Sequence, residues 1–291
     1  MSSDWSLLVI DLDGTFLAPD GTVSNANRAA VDRMREAGID VLFATGRCRN
    51  ETLHVLGAAG YTGPVIVAGG ALLAESACGT TIDRLAMDPD VVHEIVEHLH
   101  DDGHASLVLK DHHAVGYDYL IVGGHDLHPV SEWWMDTFDL TCRFVDRVED
   151  DPDPGHTIRV GGIGAAPVME GVAAKLTEAL GHRTRMLNWP AVTASHLTGD
   201  PIHIVELFEP TVDKWTMTVR HCDRCGHDPT RVIAIGDGLN DIGMLTSSAL
   251  GIAMGNAEPH VQSVADWTTG TNHEDGFAKA VDRILDGGET E

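Results

Sequence analysis

Four aspartates of this 291-residue chain lie where they could act together on a phosphate ester. Asp11 and Asp13 directly follow the first apolar run, and Asp237 and Asp241 follow an apolar run late in the chain. Clustered carboxylates raise one another's pKa unless a cation joins them. Mg²⁺ prefers oxygen ligands and suits a site that also holds phosphate, and a carboxylate can attack phosphorus. The alternative interpretation of each acidic segment is a solvated turn after a strand.

The elements that must position these side chains are buried strands. Apolar runs bounded by turn residues predict five of them, at residues 7–10, 39–44, 65–68, 232–235 and 250–254. A helical pattern over 26–34 separates the first two strands, and Gly38 is a plausible stop. Strand, helix and strand predict a right-handed parallel crossover, hence an open parallel sheet of the Rossmann-like α/β class. Ligands bind at the carboxyl ends of such strands, where the aspartates lie.

Four short motifs, in order, resemble those of the haloacid dehalogenase-like hydrolase superfamily, and specifically its Cof-type phosphatases. They are DLDGT from Asp11, TGR from Thr45, the single residue Lys214, and GDGLND from Gly236. The similarity covers roughly residues 7–80 and 203–285. In two places the chain departs from the family pattern. Gly69-Gly70 stands where the family has Asn-Gly, and Trp215 stands where a glycine usually follows the motif lysine.

The resemblance implies catalytic roles for two aspartates. Asp11 would be the nucleophile that attacks phosphorus. Asp13 would protonate the leaving oxygen and then act as base for the water that hydrolyses the phospho-enzyme. The resemblance also implies a Mg²⁺ site formed by the Asp11 side chain, the Asp13 backbone carbonyl and Asp237. Asp241 would lie close by, as a ligand through water or as a support.

The resemblance implies phosphate-binding and substrate-binding groups as well. Thr45, Gly46, Lys214 and Asn240 are expected at the phosphoryl group, where Asn240 would orient either Lys214 or the substrate, and Arg47 is expected at the leaving group. Such a set is consistent with phosphoryl transfer, which depends mainly on positioning and on neutralisation of charge. The chain has only four lysines, so a lysine at the start of a predicted helix is informative.

A second domain is predicted between the third strand and Lys214, because a single loop of about 130 residues is improbable in a compact domain. Helical patterns over 89–103 and 169–180, with strand patterns at 106–109, 157–160 and 202–207, indicate an α/β domain. We therefore predict a discontinuous core at 1–82 and 211–291 and an inserted cap at 83–210. In the resembling family such a cap closes over the site and selects the leaving group.

Charge and composition limit the partners. Lys and Arg total 19 against 45 Asp and Glu, a formal charge of −26, which argues against a nucleic acid or an anionic membrane as partner. An acidic surface fits either salt adaptation or codon usage with solubility. Five cysteines and no recognisable signal peptide favour a reducing cytoplasm. The expected partner is a small phosphorylated metabolite, and the expected state is a monomer or homodimer.

Two other motifs have simpler structural interpretations. Cys222 and Cys225 lie among histidines, but we expect them on a core helix that ends at Gly226 rather than at a metal. The glycine-rich segment 162–167 has Pro167 where a dinucleotide-binding loop needs its third glycine, so we predict a strand-to-helix turn there.

The sequence therefore predicts a Mg²⁺-dependent phosphatase that hydrolyses small phosphomonoesters, sugar phosphates first, through an aspartyl-phosphate on Asp11. A phosphosugar mutase or phosphotransferase of the same fold is one alternative, since it uses the same groups and excludes water. The other alternative is a non-catalytic binding or regulatory protein, whose usual signature would be the loss of one of the acids or the lysine.

Overall fold

A computed structural model describes residues 5–123, 127–190 and 201–287 of the chain. These residues pack into two units. The first contains the described residues up to Gly79 together with those from Asp213 onward, and the second extends from Thr80 to Val212. The predicted limits of the insertion, 83 and 210, both fall inside the second unit. Its assignment as a cap stays a prediction.

The described strands and helices have the following bounds. The strands are β1 (Leu7–Asp11), β2 (Asp40–Ala44), β3 (Pro64–Val67), β4 (Leu72–Glu75), β5 (Thr81–Arg84), β6 (Ser106–Lys110), β7 (Tyr119–Val122), β8 (Cys142–Val145), β9 (Thr157–Ala165), β10 (Arg185–Pro190), β11 (Ile202–Phe208), β12 (Val232–Gly236), β13 (Leu250–Ala253) and β14 (Trp267–Thr268). The helices are α1 (Asn25–Glu36), α2 (Arg49–Ala59), α3 (Pro89–Asp101), α4 (His112–Val115), α5 (Pro129–Thr137), α6 (Ala166–Leu180), α7 (Lys214–Cys225), α8 (Ile242–Ser247), α9 (Pro259–Gln262) and α10 (Gly276–Leu285). Within the described ranges, no helix combines the length and the apolar character needed to cross a membrane.

Within the first unit, the strands of the sheet follow the order β14-β13-β12-β1-β2-β3-β4. β1 pairs in parallel with both β2 and β12, and every residue of β1 is buried. β4 pairs antiparallel with β3 at one side. The predicted Rossmann-like α/β core is therefore confirmed, and β1 occupies an interior position between the strands that precede the second and fourth motifs.

Local interactions fix the segments that flank the sheet. Phe16, in the turn after β1, packs edge-to-face against Phe43 and Phe277, with ring centroids 4.8 and 5.4 Å apart. α7 begins after Asp213, whose side chain accepts a hydrogen bond from the Thr216 amide. α7 ends at Cys225, and Gly226 forms its left-handed C-terminal cap, as the sequence predicts.

The second unit contains a sheet of the order β10-β11-β9-β6-β7-β8. Its neighbouring strands are antiparallel except for the parallel pair β7 and β8. α3 and α6 contribute buried apolar side chains to one core with this sheet, including Leu99, Met169 and Val160. This unit is thus an α/β domain with a hydrophobic core of its own.

The predicted change from strand to helix does fall within residues 162–167, but β9 continues to Ala165 and α6 begins at Ala166, so no separate turn lies between them. The glycines allow close packing within the strand. A Cβ at Gly161 would lie 2.7 Å from the Val205 carbonyl oxygen, and one at Gly162 would lie 3.0 Å from the Leu99 side chain. Closely spaced glycines usually indicate a turn. In β9 they lie within a strand, where neighbouring groups pack close to the backbone.

Candidate active site

The site residues lie at the carboxyl ends of three adjacent parallel strands. Asp11 is the last residue of β1, Thr45 follows β2, and Asp237 follows β12. Because β1 pairs with both of the other strands, these three residues leave the sheet at the same edge. The sequence argument placed them there from the apolar runs alone.

Lys214 forms ion pairs with two aspartates of the site. Its Nζ lies 2.5 Å from Asp11 Oδ1 and 2.6 Å from Asp241 Oδ1. The Lys214 side chain is fully buried, and the side chains of its partners are 7% and 1% exposed. The first residue of α7 therefore fixes one oxygen of Asp11, 203 positions earlier in the chain.

Asp241 positions the loop that follows β12. Its second oxygen, Oδ2, accepts hydrogen bonds from the backbone amides of Asp237 and Gly238, at 3.0 and 2.8 Å. With Oδ1 on Lys214, both oxygens of Asp241 are engaged by the protein. This arrangement fits the supporting role better than that of a direct metal ligand.

Asp237 is held by two side chains to which the sequence argument gave no role. Thr15 Oγ1 donates to Asp237 Oδ1 at 2.8 Å, and Asn256 Nδ2 lies 3.3 Å from Asp237 Oδ2. Asn256 Nδ2 also donates to the Gly14 carbonyl oxygen at 2.9 Å. Thr15 belongs to the first motif, and Asn256 lies in the C-terminal range that is similar to the family. Only the three-dimensional structure shows that both side chains contact Asp237.

Gly14 is required by the packing of this turn against Asp237. Its φ is +78°, and a Cβ there would lie 2.2 Å from Asp237 Oδ2. Both the left-handed backbone and the close approach exclude a side chain. The glycine of the first motif thus allows the turn after β1 to contact the loop after β12.

Asp13 lies apart from the buried carboxylates and pairs with Arg47. Arg47 Nε donates to Asp13 Oδ2 at 2.8 Å, and its second nitrogen donates to Oδ1 at 2.6 Å. This hydrogen-bonded pairing raises the pKa of Arg47. The Asp13 side chain is 52% exposed and is therefore accessible to water. Arg47 was predicted at the leaving group, and the structure gives it Asp13 as its partner.

The remaining predicted phosphate ligands are Thr45, Gly46 and Asn240. Thr45 is fully buried, and its Oγ1 accepts a hydrogen bond from the Arg47 amide at 3.1 Å. Gly46 and Asn240 are half-buried. Among the described residues, the recorded hydrogen-bond partners of Lys214 Nζ are Asp11 and Asp241, so Asn240 does not orient it here.

The carboxylates of Asp11, Asp237 and Asp241 carry more negative charge than Lys214 neutralises. Their oxygens converge within 4.8 Å of one another, and no other group of three His, Cys, Asp or Glu residues in the described ranges does so. Burial, followed by the charge of Asp241, raises the pKa of Asp11 well above its ordinary value. The same causes raise the pKa of Asp237 to about 6. Burial lowers the pKa of Lys214, but Asp11 and Asp241 outweigh it and raise the pKa overall.

The comparison with known families decides the identity of the fold. The family model of haloacid dehalogenase-like hydrolases matches residues 8–281. The chain belongs to the haloacid dehalogenase-like hydrolase family. The resemblance to its Cof-type phosphatases is thereby confirmed.

Relatives of this hydrolase that match along nearly the whole chain are named phosphatases. The 5-amino-6-(5-phospho-D-ribitylamino)uracil phosphatase YitU of Bacillus subtilis is 26% identical over 94% of this chain and 95% of its own. The HMP-PP phosphatase of Citrobacter koseri is 27% identical over 88% of this chain and 86% of its own. The solved structure of the phosphatase BT1666 from Bacteroides thetaiotaomicron has a TM-score of 0.74 and 24% identity, and the match covers 97% and 95% of the two chains. This hydrolase is a phosphatase of the family.

The two departures of this hydrolase from the family pattern leave the clustered aspartates and Lys214 in place. At the first, the Gly69 amide donates to the Thr45 carbonyl oxygen at 3.0 Å, so the backbone still connects the ends of β2 and β3. At the second, Trp215 is half-buried beside the fully buried Lys214 side chain. Neither departure removes a contact of Asp11, Lys214 or Asp241.

Proposed function

We propose that the protein is a Mg²⁺-dependent phosphatase of small phosphomonoesters, sugar phosphates first, and that Asp11 carries the phosphoryl group covalently. The observation that carries this proposal is the buried Asp11 carboxylate at the end of β1, with Lys214 on one oxygen and Asp237 and Asp241 beside it. A carboxylate oriented by a lysine beside further acids matches what attack on phosphorus requires.

The first chemical step joins Asp11 to phosphorus. An oxygen of Asp11 forms the new bond to phosphorus while the bond from phosphorus to the ester oxygen breaks. The ester oxygen takes a proton from Asp13 and leaves as an alcohol. The Lys214 ammonium, held 2.5 Å from Asp11 Oδ1, stabilises negative charge on the phosphoryl oxygens.

The second step releases phosphate by hydrolysis of the aspartyl-phosphate. Water attacks phosphorus, Asp13 accepts the proton from that water, and the bond from phosphorus to Asp11 breaks. Arg47 donates hydrogen bonds to both oxygens of Asp13 and so fixes where that side chain lies. We therefore assign Arg47 to the positioning of Asp13.

The donor set fits a hard divalent cation. Asp11, Asp237 and the Asp13 carbonyl would hold Mg²⁺, with Asp241 behind them. The fit rests on three convergent carboxylates, of which Asp11 and Asp241 pair with one lysine, so the buried cluster has a surplus of negative charge. When bound, Mg²⁺ supplies charge neutralisation at the phosphoryl oxygens.

Support for the substrate class comes from the named relatives and from the resemblance. The name of the Bacillus subtilis relative contains a phospho-D-ribityl group, which is a phosphorylated polyol. Cof-type phosphatases favour sugar phosphates, and the formal charge of −26 argues against polyanionic substrates such as nucleic acids. We propose a small phosphorylated sugar or polyol as substrate and the second unit as the region that selects it.

The test is phosphate release from a panel of sugar, polyol and aromatic phosphate esters, with Mg²⁺ and with a chelator. We expect free phosphate and the parent alcohol in equal amounts, only with the metal present. A phospho-enzyme should form on the wild-type protein and not on Asp11→Asn. Isomerised sugar phosphate without free phosphate would establish the mutase instead. Binding of esters without any turnover would establish a non-catalytic protein.

A further inference from the structure

Asn256, in the loop after β13, connects three segments at the edge of the core sheet. Its Nδ2 donates to the Gly14 carbonyl oxygen at 2.9 Å, in the turn after β1, and lies 3.3 Å from Asp237 Oδ2, in the loop after β12. Its Oδ1 accepts a hydrogen bond from the Asn272 amide at 2.9 Å, in the loop after β14. One exposed side chain thus joins the first motif, the fourth motif and the C-terminal part of the first unit.

The contact with the Asn272 amide fixes which way the amide group of Asn256 points. A backbone N–H can only donate, so the side-chain atom that it contacts must be the oxygen. The nitrogen of Asn256 then faces Gly14 and Asp237, and its two hydrogens have one acceptor each. The orientation that brings a donor to Asp237 is therefore set by the protein.

The backbone around Asn256 is held on both sides. Gln262 Nε2 donates to the carbonyl oxygens of Gly255 and Ala257, at 3.2 and 3.0 Å. The Gly255 amide donates to the Gly270 carbonyl oxygen at 3.0 Å. The residues on either side thus fix the position of Asn256, and its side chain is a placed donor although it is exposed.

Two hydrogen bonds together determine how the Asp237 carboxylate lies. Thr15 Oγ1 donates to Oδ1 at 2.8 Å. This contact alone would leave rotation about the Cβ–Cγ bond, for which an aspartate has only a broad preference. The contact from Asn256 to Oδ2 restricts that rotation. Since each carboxylate oxygen has a second lone pair, both contacts leave Asp237 able to ligate a cation.

Asn272 offers a close structural comparison, because its side chain makes a similar contact elsewhere. Its Nδ2 donates to the Leu17 carbonyl oxygen at 2.9 Å, the same distance that joins Asn256 to the Gly14 carbonyl oxygen. Both acceptors lie in the segment after β1. Among the described residues, Leu17 is the recorded partner of Asn272 Nδ2. The two asparagines therefore hold the same segment in a similar way, and they differ at Asp237.

We propose that Asn256 is a positioning residue that sets the Mg²⁺ affinity of the active site by orienting the Asp237 carboxylate. The inference rests on the Mg²⁺ site of the proposed function, and Asn256 acts through Asp237 rather than as a ligand. Groups that orient metal ligands typically account for roughly 10–100-fold in metal affinity. Because Asn256 is exposed, water can replace its hydrogen bonds, and folding depends little on its side chain.

The test is a Mg²⁺ titration of the ¹⁵N-labelled full-length chain without substrate, after removal of metal with a chelator. Amide chemical shifts of residues 11–15 and 237–241 report the site and give its dissociation constant. Asn256→Ala should weaken Mg²⁺ binding by roughly tenfold, because the orientation of Asp237 is no longer fixed. Asn256→Leu keeps the branched shape of the side chain without its hydrogen bonds and should weaken binding to a similar degree.

The matched control is Asn272→Ala. It removes a hydrogen bond of the same length to the segment after β1 but keeps the backbone amide that contacts Asn256 Oδ1. In chelator, both alanine variants should show a similar, small decrease in melting temperature. The Mg²⁺ affinity of Asn272→Ala should equal that of the wild-type protein. Equal weakening of Mg²⁺ binding in both variants would overturn the proposal, because general loosening of the loops would then explain it.

Failure of this inference and failure of the proposed function give different results. If the wild-type protein binds Mg²⁺ at these residues and Asn256→Ala binds it equally well, only the role of Asn256 is refuted. If the wild-type protein shows no saturable shifts at residues 11–15 and 237–241, the Mg²⁺ site is refuted and the role of Asn256 with it. The titration contains no ester, so failure to hydrolyse sugar phosphates would count against the proposed substrates and would not change the measured affinities.

Discussion

Two buried lysines, one in each unit, have similar partners and different consequences. Lys110 in the second unit donates to the Asp151 carboxylate, to the Asp153 carbonyl oxygen at 3.1 Å and to Thr157 Oγ1 at 2.9 Å. Lys214 in the first unit contacts Asp11 and Asp241. Both lysine side chains are fully buried.

The difference lies in the number of charges around each lysine. Lys110 uses its three donors on one carboxylate and two neutral oxygens, and burial lowers its pKa despite Asp151. Around Lys214 the charges of the carboxylates outweigh burial and raise its pKa, while the pKa of Asp237 also rises. A buried lysine–aspartate pair is thus weak evidence of catalysis, and a surplus of carboxylates is the stronger signal.

The largest expected effect distinguishes Asp11, which pairs with Lys214, from Asp151, which pairs with Lys110. Asp11→Asn should lower phosphate release by roughly 10⁴-fold or more, because the nucleophile is lost. Its melting temperature should not fall much, because one of three clustered negative charges is removed. Asp151→Asn should retain turnover and lose stability, by about 3 kcal/mol, because Lys110 loses its charged partner. Substantial activity in Asp11→Asn would rule out Asp11 as the nucleophile. Phosphate release and urea unfolding of both variants measure these effects.

The second comparison exchanges the lysines themselves for an apolar residue of similar length. Lys214→Met should reduce kcat by about 10²–10³-fold, because a positive group at the phosphoryl oxygens is lost. Lys110→Met should leave kcat near the wild-type value at a temperature where the variant is folded. Circular dichroism provides the control for folding. Similar kcat losses in the two variants would contradict the division into a functional and a structural cluster.

A smaller effect is expected from metal binding. Mg²⁺ should raise the melting temperature of the wild-type protein, because it binds the folded carboxylate cluster and not the unfolded chain. Asp237→Asn should largely lose this increase, whereas Asp151→Asn should keep it. Differential scanning calorimetry in chelator and in excess Mg²⁺ measures both. If Mg²⁺ raised the melting temperature equally in all three proteins, the metal would bind outside the Asp11, Asp237 and Asp241 cluster.

The smallest expected effect is on the unfolding free energy at alkaline pH. As the pH rises, the contribution of Lys110 should increase and that of Lys214 should decrease. The ordinary lysine pKa is 10.5. Lys110 has a lowered pKa when folded, so its contribution to stability rises as the pH approaches 10.5. Lys214 has a raised pKa when folded, so its contribution is complete below 10.5 and is lost above it. The unfolding free energy of the wild-type protein, minus that of each methionine variant, should follow these trends between pH 8 and 11.5. If the two differences in unfolding free energy changed with pH in the same direction, the distinction between the two lysines would be refuted.

Much of the candidate site could be predicted from the sequence because it depends on strand ends. Asp11, Thr45 and Asp237 each follow an apolar run, and parallel strands bring such positions to one edge. The Lys110 cluster gave no such signal, since Lys110 ends an ordinary strand and Asp151 lies 41 residues later in a loop. Arg47 was assigned to the leaving group because neither spacing nor residue type reveals that its two hydrogen bonds go to Asp13.

The fold was predictable where periodicity is strong and less so where packing decides. The five predicted strands of the core are β1, β2, β3, β12 and β13, but the prediction lacked β4 and the two-residue β14. In the second unit the glycines at 161 and 162 serve close packing against Val205 and Leu99, which a one-dimensional pattern cannot distinguish from a turn.

The interior position of β1 has a consequence for synthesis on the ribosome. β2 follows β1 within 40 residues, but β12, its other neighbour, begins at Val232. Until that strand emerges, one edge of a fully buried strand of the first unit has no partner, whereas the second unit is contiguous and complete at Val212. The nascent chain therefore carries an exposed apolar strand edge while more than two hundred further residues are made, a stage at which chaperones or slow translation would protect it.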